Sequence, residues 1–257
     1  MLASGCGEIQ EQGPDRCADP QADWWPLPVA ATWQLYTTSL VDQTLIERNR
    51  LLEVQARDTE VVNVAPNPSW KKAKAVRLWR REVGSTGWRW VKETPEGFHW
   101  LRDLWVTEPP PEEPDETRDS TRDVYYDPYR LRLATTMEKL CEGAAWQEEY
   151  RKVTITIGPK TGQCANEVWR LDPQECIKAG KFEALDVHEQ WTVESVDKAF
   201  DIQGRHYEKT LCVRRHDPKE AMRDATYCFA AGVGKFLELN RDKQEREELI
   251  SYDAGEP

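Results

Sequence analysis

Long apolar runs are missing from this chain. No stretch of about 18 consecutive apolar residues occurs, which argues against a helix-spanning integral membrane protein, and only 39% of the 257 residues are hydrophobic while 32% are charged. Positive charge is also short. Thirty-five Lys and Arg stand against 46 Asp and Glu, a formal net charge of -11, and a duplex or strand of nucleic acid is held by clustered Lys and Arg that displace counterions from phosphates. No nucleic-acid partner is expected. The short basic runs Lys71-Lys72-Ala73-Lys74 and Arg80-Arg81, flanked by Trp70 and Trp79, read as a solvated strand face.

The usual catalytic and metal spacings are lacking as well. There is no CxxC pair, and His99, His188, His206 and His216 are not spaced as ligand pairs, so no metal site and no cofactor are expected. The stretch HEQW, from His188 to Trp191, has no second histidine four residues on from the first. Asp186, His188 and Glu189 are instead expected as surface polar residues of a strand, with His188 and Glu189 on opposite faces. AAGVGKF fails as a phosphate loop, because Phe229 and Phe236 occupy the positions that need Gly and Ser or Thr. Gly232 and Gly234 then suit a turn or bulge needing positive φ. No G-x-S-x-G elbow occurs, no catalytic residue is assigned, and the chain is expected not to be an enzyme.

What is present is tryptophan and cysteine. Nine of twelve tryptophans precede the proline run at 109, whereas five of seven cysteines follow it. The two halves are thus expected to be stiffened differently, one by aromatic packing and the other by disulfides. Leu2-Ala3-Ser4-Gly5-Cys6 matches the small residues of a bacterial lipobox. A lipobox follows a charged start and an apolar stretch of about 7 to 15 residues; with five residues ahead of Cys6, either the start lies upstream of Met1, the chain has been trimmed, or the match is accidental. The polar, Gly- and Pro-containing residues 7–23 fit a tether between membrane and domain, and Cys6 is taken as the lipidation site. The other six, Cys17, Cys141, Cys164, Cys176, Cys212 and Cys228, are an even set able to close three bridges. Cys212 with Cys228 is the first pairing expected, since KTLCVRR and ATYCFAA read as facing strands of a hairpin, and Cys164 with Cys176 the second.

Period-2 alternation is widespread. In KVTITI, Val153, Ile155 and Ile157 share one face and Thr154 and Thr156 the other, the pattern of a half-buried strand. Short strands parted by Gly, Pro and Asp turns predict a mainly β, antiparallel meander with little helix. Residues 40–57 and 131–150 are ambiguous, each able to hold a helix instead. The organisation reads as a lipobox remnant and tether (1–23), a Trp-rich β unit (24–106), an acidic Pro-rich loop (107–123), a Cys-containing β unit (124–252) and a tail (253–257). A rough echo relates the two β units. DWWPLPVAATWQLY parallels VYYDPYRLRL…AAWQEEY, and the offset grows from 113 residues (Trp33 to Trp146) to 135 (Lys74 to Lys209), as an insertion around Gly158 to Lys181 would produce. Two quasi-repeated units and mere similarity among hairpins explain this equally.

WWPLPVAATWQLY resembles the opening of Gram-negative envelope lipoproteins that begin with Phe/Trp-Pro-Leu, a gap and a Trp-x-Tyr strand, and TYCFAAGVGKFLE is similar to the closing signature of the same group, the TapB-like family of secreted β-rich proteins. Cys228 stands where the group has an aromatic residue, and Ala231 where it has proline. The resemblance implies a curved antiparallel sheet, a half-barrel like those of lipoprotein carriers, behind a lipidated N-terminal cysteine. It points to a non-catalytic lipoprotein anchored in the outer membrane of the Gram-negative envelope, acting as a binding or scaffold module for a protein partner. The alternative is a periplasmic carrier of an apolar ligand, with some of Trp79, Trp88, Trp90, Trp100 and Trp105 on the concave face.

Overall fold

The computed structural model describes residues 16–107, 120–157, 181–217 and 224–255. Among these residues the chain is antiparallel β structure with a single 3-10 turn, Met137–Lys139. The strands are β1 (Thr32–Ser39), β2 (Leu45–Val62), β3 (Lys72–Glu82), β4 (Ser85–Thr94), β5 (Gly97–Thr107), β6 (Ser120–Ala134), β7 (Ala145–Ile157), β8 (Lys181–Val196), β9 (Phe200–Ile202), β10 (Arg205–Tyr207), β11 (Thr210–His216), β12 (Ala225–Ala230), β13 (Gly234–Asn240) and β14 (Glu245–Asp253). Both ambiguous stretches resolve toward strand: residues 45–62 are one long strand, and 131–150 hold only the 3-10 turn between β6 and β7.

The sheet is a closed barrel and not the open half-barrel expected. Twelve strands follow one another around it, with the β9–β10 hairpin set aside, and β1 closes the ring by pairing with β14 from Thr32↔Asp253 to Ser39↔Glu245. Closure removes both sheet edges, so every interior strand satisfies its backbone groups on two sides. Strands drawn from 24–106 and from 124–252 share this one barrel. The acidic stretch begins and ends in paired strands, because Thr107 lies opposite Ser120; its remaining residues lie outside those described, as do Cys6, Cys164, Cys176 and the segment NEVWRLD.

One end of the barrel is shut by residues 16–31. Trp24, Trp25, Leu27 and Ala31 are buried there, packed with Phe98, Leu133, Phe229 and the first halves of β1 and β3. Asp23 accepts a backbone bond from Gly232 (2.8 Å), Ala31 accepts one from Val54 (2.9 Å), and the Trp33 indole donates to the Val233 carbonyl (2.6 Å). The turn after β12 makes room for this plug. Gly232 and Gly234 have φ of 76° and 93°, and a Cβ on Gly234 would come within 3.1 Å of Trp25 and 3.3 Å of Trp33, so both conformation and space favour glycine. Cys17 bridges to Cys141 beyond the 3-10 turn, fastening the plug to the β6–β7 connection. Cys212 and Cys228, directly opposite in the β11–β12 pair, form the second bridge.

The outer face is polar where strand alternation is cleanest. On β7 and β8, Gln147, Glu149, Gln190 and Glu194 are exposed, while the alternating Tyr150, Glu189, Trp191 and Val193 are buried. A membrane-spanning barrel reverses this, with an apolar outer band. Two patches of the outer face are covered by the chain itself. Over β4–β7, the connection 63–71 brings Trp70 onto a cluster with Trp90, Leu101, Tyr125 and Ile155. Over β13, the β9–β10 hairpin stacks Tyr207 and Phe200 on Phe236, with ring centroids 4.4 and 5.4 Å apart.

Candidate functional site: an arginine-lined lumen

Above the apolar floor, the inward positions of the strands carry charge. Arg130 and Arg132 of β6 are buried, alternating with the buried Leu131 and Leu133. A cavity of about 200 Å³ remains between these side chains, lined by Trp25, Trp33 and Phe229 at the floor, by Trp100 and Tyr227 on the walls, and by Arg50, Arg80, Arg89, Arg130, Arg132, Arg215 and Lys235. Twelve strands enclose more space than the interior side chains of a small eight-stranded barrel can fill. Here long cationic side chains occupy much of it.

Most of these cations have an acidic partner, although Arg50 Nε and Arg80 Nε and Nη1 are also buried without a hydrogen-bond partner among the described residues. Arg89 makes a two-pronged contact with Asp103 (2.6 and 3.1 Å), which also accepts from the Tyr126 hydroxyl (3.1 Å). Burial works to raise the Asp103 carboxyl, but Arg89 and Arg80 outweigh it and hold it below the usual range. Toward the end opposite the plug, Arg50 contacts Glu82 and Glu247, Arg80 donates to Glu82 (2.8 Å), and Lys235 contacts both Glu238 (2.5 Å) and Glu247. Each of these pairs gains geometric definition from its shared partners.

The third group is unbalanced. Glu189, 2% exposed, accepts from Arg130 (2.7 and 3.3 Å), from the Tyr150 hydroxyl (2.9 Å) and from Arg215 (3.4 Å). Burial opposes its ionisation, yet Arg130 and Arg215 bring its pKa down to about 2. Arg132, 6% exposed, makes no hydrogen bond or ion pair with any described residue, and its Nη1 is buried without a partner. Its guanidinium lies instead against rings, 4.1 Å from the centroid of Tyr227 and 4.2 Å from that of Trp100. Burial lowers its pKa, and the neighbouring Arg130 and Arg215 lower it further. Three guanidinium groups therefore share one hydrogen-bonded carboxylate. Arg215 Nε and the Trp100 indole nitrogen are also buried without partners.

Of the tryptophans expected on a concave face, Trp100 lines the lumen and Trp105 lies beneath Arg80, 3.7 Å from its guanidinium carbon. Trp88 and Trp90 face outward into the cluster under Trp70, and Trp79 lies opposite Trp88 in the β3–β4 pair. The reason is parity: Arg89 and Arg80 take the inward positions of β4 and β3, which sends the adjacent tryptophans outside. Trp88 is half-buried and donates to Gln55 (3.2 Å), so Trp88→Ala should lower stability by about 1 to 2 kcal/mol and leave the lumen unchanged. Urea denaturation alongside near-ultraviolet circular dichroism of the buried aromatics measures both.

Two surface expectations are overturned. Glu189 is in the lumen, and Arg80, expected on a solvated face, is 3% exposed among Glu82, Arg89 and Arg50. His188 does face outward, near Glu149 (3.0 Å). The lumen is consequently cationic and not the apolar, aromatic-lined cleft expected. No alternation rule distinguishes an inward arginine from an outward one. The available signal was Arg130-Leu131-Arg132-Leu133, two arginines among apolar residues with no acid beside them; a register shift at Arg132 brings Leu133 to the lumen side as well.

The geometry defines a closed β-barrel, plugged at one end, with a charged internal cavity. No protein-family model matches the chain, and no curated protein does. Among solved structures, the crystal structure of a "putative lipoprotein" from Parabacteroides distasonis is similar over 90% of this chain and 99% of its own, at 10% identity and a TM-score of 0.31. A likeness that loose carries no argument about function, and membership of the TapB-like group is not shown.

Proposed function

We propose that this chain is a non-catalytic lipoprotein of the Gram-negative envelope, anchored by lipid on Cys6 in the outer membrane, whose barrel holds a small ligand in its lumen. The observation that carries the binding reading is the unpaired Arg132 facing a cavity between an apolar floor and an arginine wall. A buried cation without a partner is costly in an empty protein, and a bound ligand offsets that cost.

Several features support the remainder. The bridges Cys17–Cys141 and Cys212–Cys228 fit an oxidising compartment, and Ala3-Ser4-Gly5-Cys6 with a polar stretch behind it fits an anchor and tether. Against catalysis, the lumen carboxylates Glu189 and Asp103 are held ionised by arginines, whereas a general acid or base works best near the operating pH. The exposed His206 is engaged by Asp201 (2.7 Å) and Glu208 (3.3 Å), away from the lumen.

The anchor is tested by intact mass spectrometry of protein extracted from its native membranes, alkylated before and after reduction. The expected result is a diacyl or triacyl increment on a chain beginning at Cys6, with the other six thiols appearing only on reduction. A chain carrying unmodified Cys6 and free thiols overturns the envelope assignment.

A further inference from the structure

We infer that the lumen ligand is a compact organic dianion, of the phosphate-monoester type, with its charged group on Arg132 and its apolar body on the floor formed by Trp25 and Phe229. This deepens the binding reading above and rests on it. The charge follows from the local imbalance. Among the described residues, Arg130, Arg132 and Arg215 have one hydrogen-bonded carboxylate among them, Glu189, which leaves two positive charges without a described counter-charge where the three meet. Glu238, the acid whose charge also reaches Arg132, is already held by Lys235 at 2.5 Å.

Three donors lining the cavity lack acceptors. Arg132 Nη1, Arg215 Nε and the Trp100 indole nitrogen are all buried and without partners among the described residues, and all three residues line the one cavity. Guanidinium and indole N–H groups can only donate, so an acceptor is what they lack. Charge-assisted bonds from a planar guanidinium to phosphate oxygens are among the stronger polar contacts available. Ring faces hold Arg132 in place beforehand: Trp100 and Tyr227 lie 4.2 and 4.1 Å from its guanidinium carbon, reducing the ordering needed on binding.

Size and floor chemistry set the rest. The cavity, at about 200 Å³, falls below the roughly 300 to 1,000 Å³ of pockets for drug-sized ligands, so the body is no larger than a single ring or short chain. Trp25, Trp33 and Phe229, which line the same cavity as Arg132, supply apolar surface for it.

The test is isothermal titration calorimetry of the full chain with phenyl phosphate, inorganic phosphate, benzoate and benzyl alcohol at equal ionic strength. Phenyl phosphate should bind at least about 10-fold more tightly than each of the others, the difference expected of one additional charge-assisted contact or one buried ring. Arg132→Gln should weaken phenyl phosphate by about 30-fold without lowering the melting temperature, since it removes an unpaired buried cation. Trp100→Phe, which deletes the indole N–H and keeps an aromatic ring, should weaken it about 5-fold and serves if Arg132→Gln does not fold. Benzyl alcohol binding as tightly as phenyl phosphate overturns the dianion and leaves lumen binding standing. Inorganic phosphate binding as tightly overturns the apolar body, unchanged affinity in both variants overturns the anchor, and no heat with any probe overturns this inference and the binding reading together.

Discussion

Replacing Cys17 and Cys141 together with alanine is expected to lower stability by about 4 to 5 kcal/mol, the loop-closure value for a span of roughly 100 residues or more. The bridge joins positions 124 residues apart, whereas Cys212–Cys228 spans 16, for which the same relation gives about 3 kcal/mol. The long bridge also does something local. Ala18 donates to the Leu140 carbonyl (2.9 Å) and Glu142 to that of Arg16 (2.8 Å), so the bridge fixes the start of the segment that places Trp24 and Trp25 in the barrel mouth. Urea denaturation of the double variants Cys17→Ala/Cys141→Ala and Cys212→Ala/Cys228→Ala gives the comparison directly. Equal or smaller loss from the long bridge would mean that the plug stays seated through its apolar contacts alone, and that the chain-entropy account is wrong here.

Strand content was legible because alternation is local. Val153 and Ile155 signal a strand in six residues; both are buried with Trp90 and Tyr125, on the outer face under Trp70, while Thr154 on the lumen face is buried as well, so the strand is covered on both sides and not half-buried. The turn at Gly232 and Gly234 and the facing of Cys212 and Cys228 were legible for the same reason, each being settled within one hairpin. Closure was not. It depends on β1 meeting β14, about two hundred residues away, and no short-range pattern records that meeting. Once the sheet closes, one of its two faces becomes a lumen, and positions that would be solvated on an open sheet become buried. Arg80 and Glu189 were misplaced on that account, since charged residues on an open antiparallel sheet belong to the wet face. Trp90 and Trp100 illustrate the converse: they sit on the paired strands β4 and β5, where Trp90 lies opposite Arg102 and Val91 opposite Trp100, and the extra residue Leu101 lets Trp100 line the lumen while Trp90 faces out.

The same closure makes Glu189 the most consequential single carboxylate in the lumen. Glu189→Gln leaves Arg130, Arg132 and Arg215 with no carboxylate in hydrogen-bond contact, and removing one partner of a buried pair costs about 3 to 5 kcal/mol. The pH dependence follows from the same contacts. The native pKa of Glu189, about 2, is below its ordinary 4.5, so the folded protein binds this proton less readily than the unfolded chain. Its contribution is therefore present above pH 4.5 and is lost as the pH falls toward 2, a difference worth roughly 3 kcal/mol. Wild-type stability should thus fall over that window more steeply than that of Glu189→Gln, and the two denaturation midpoints should converge on acidification. Parallel curves from pH 6 to pH 2 would remove Glu189 as the counter-charge of the arginine cluster. A second comparison separates lost charge from lost packing. Arg130→Met in the Glu189→Gln background takes away one of the stranded cations, and should restore part of the lost stability at pH 7 if uncompensated positive charge is what destabilises the single variant.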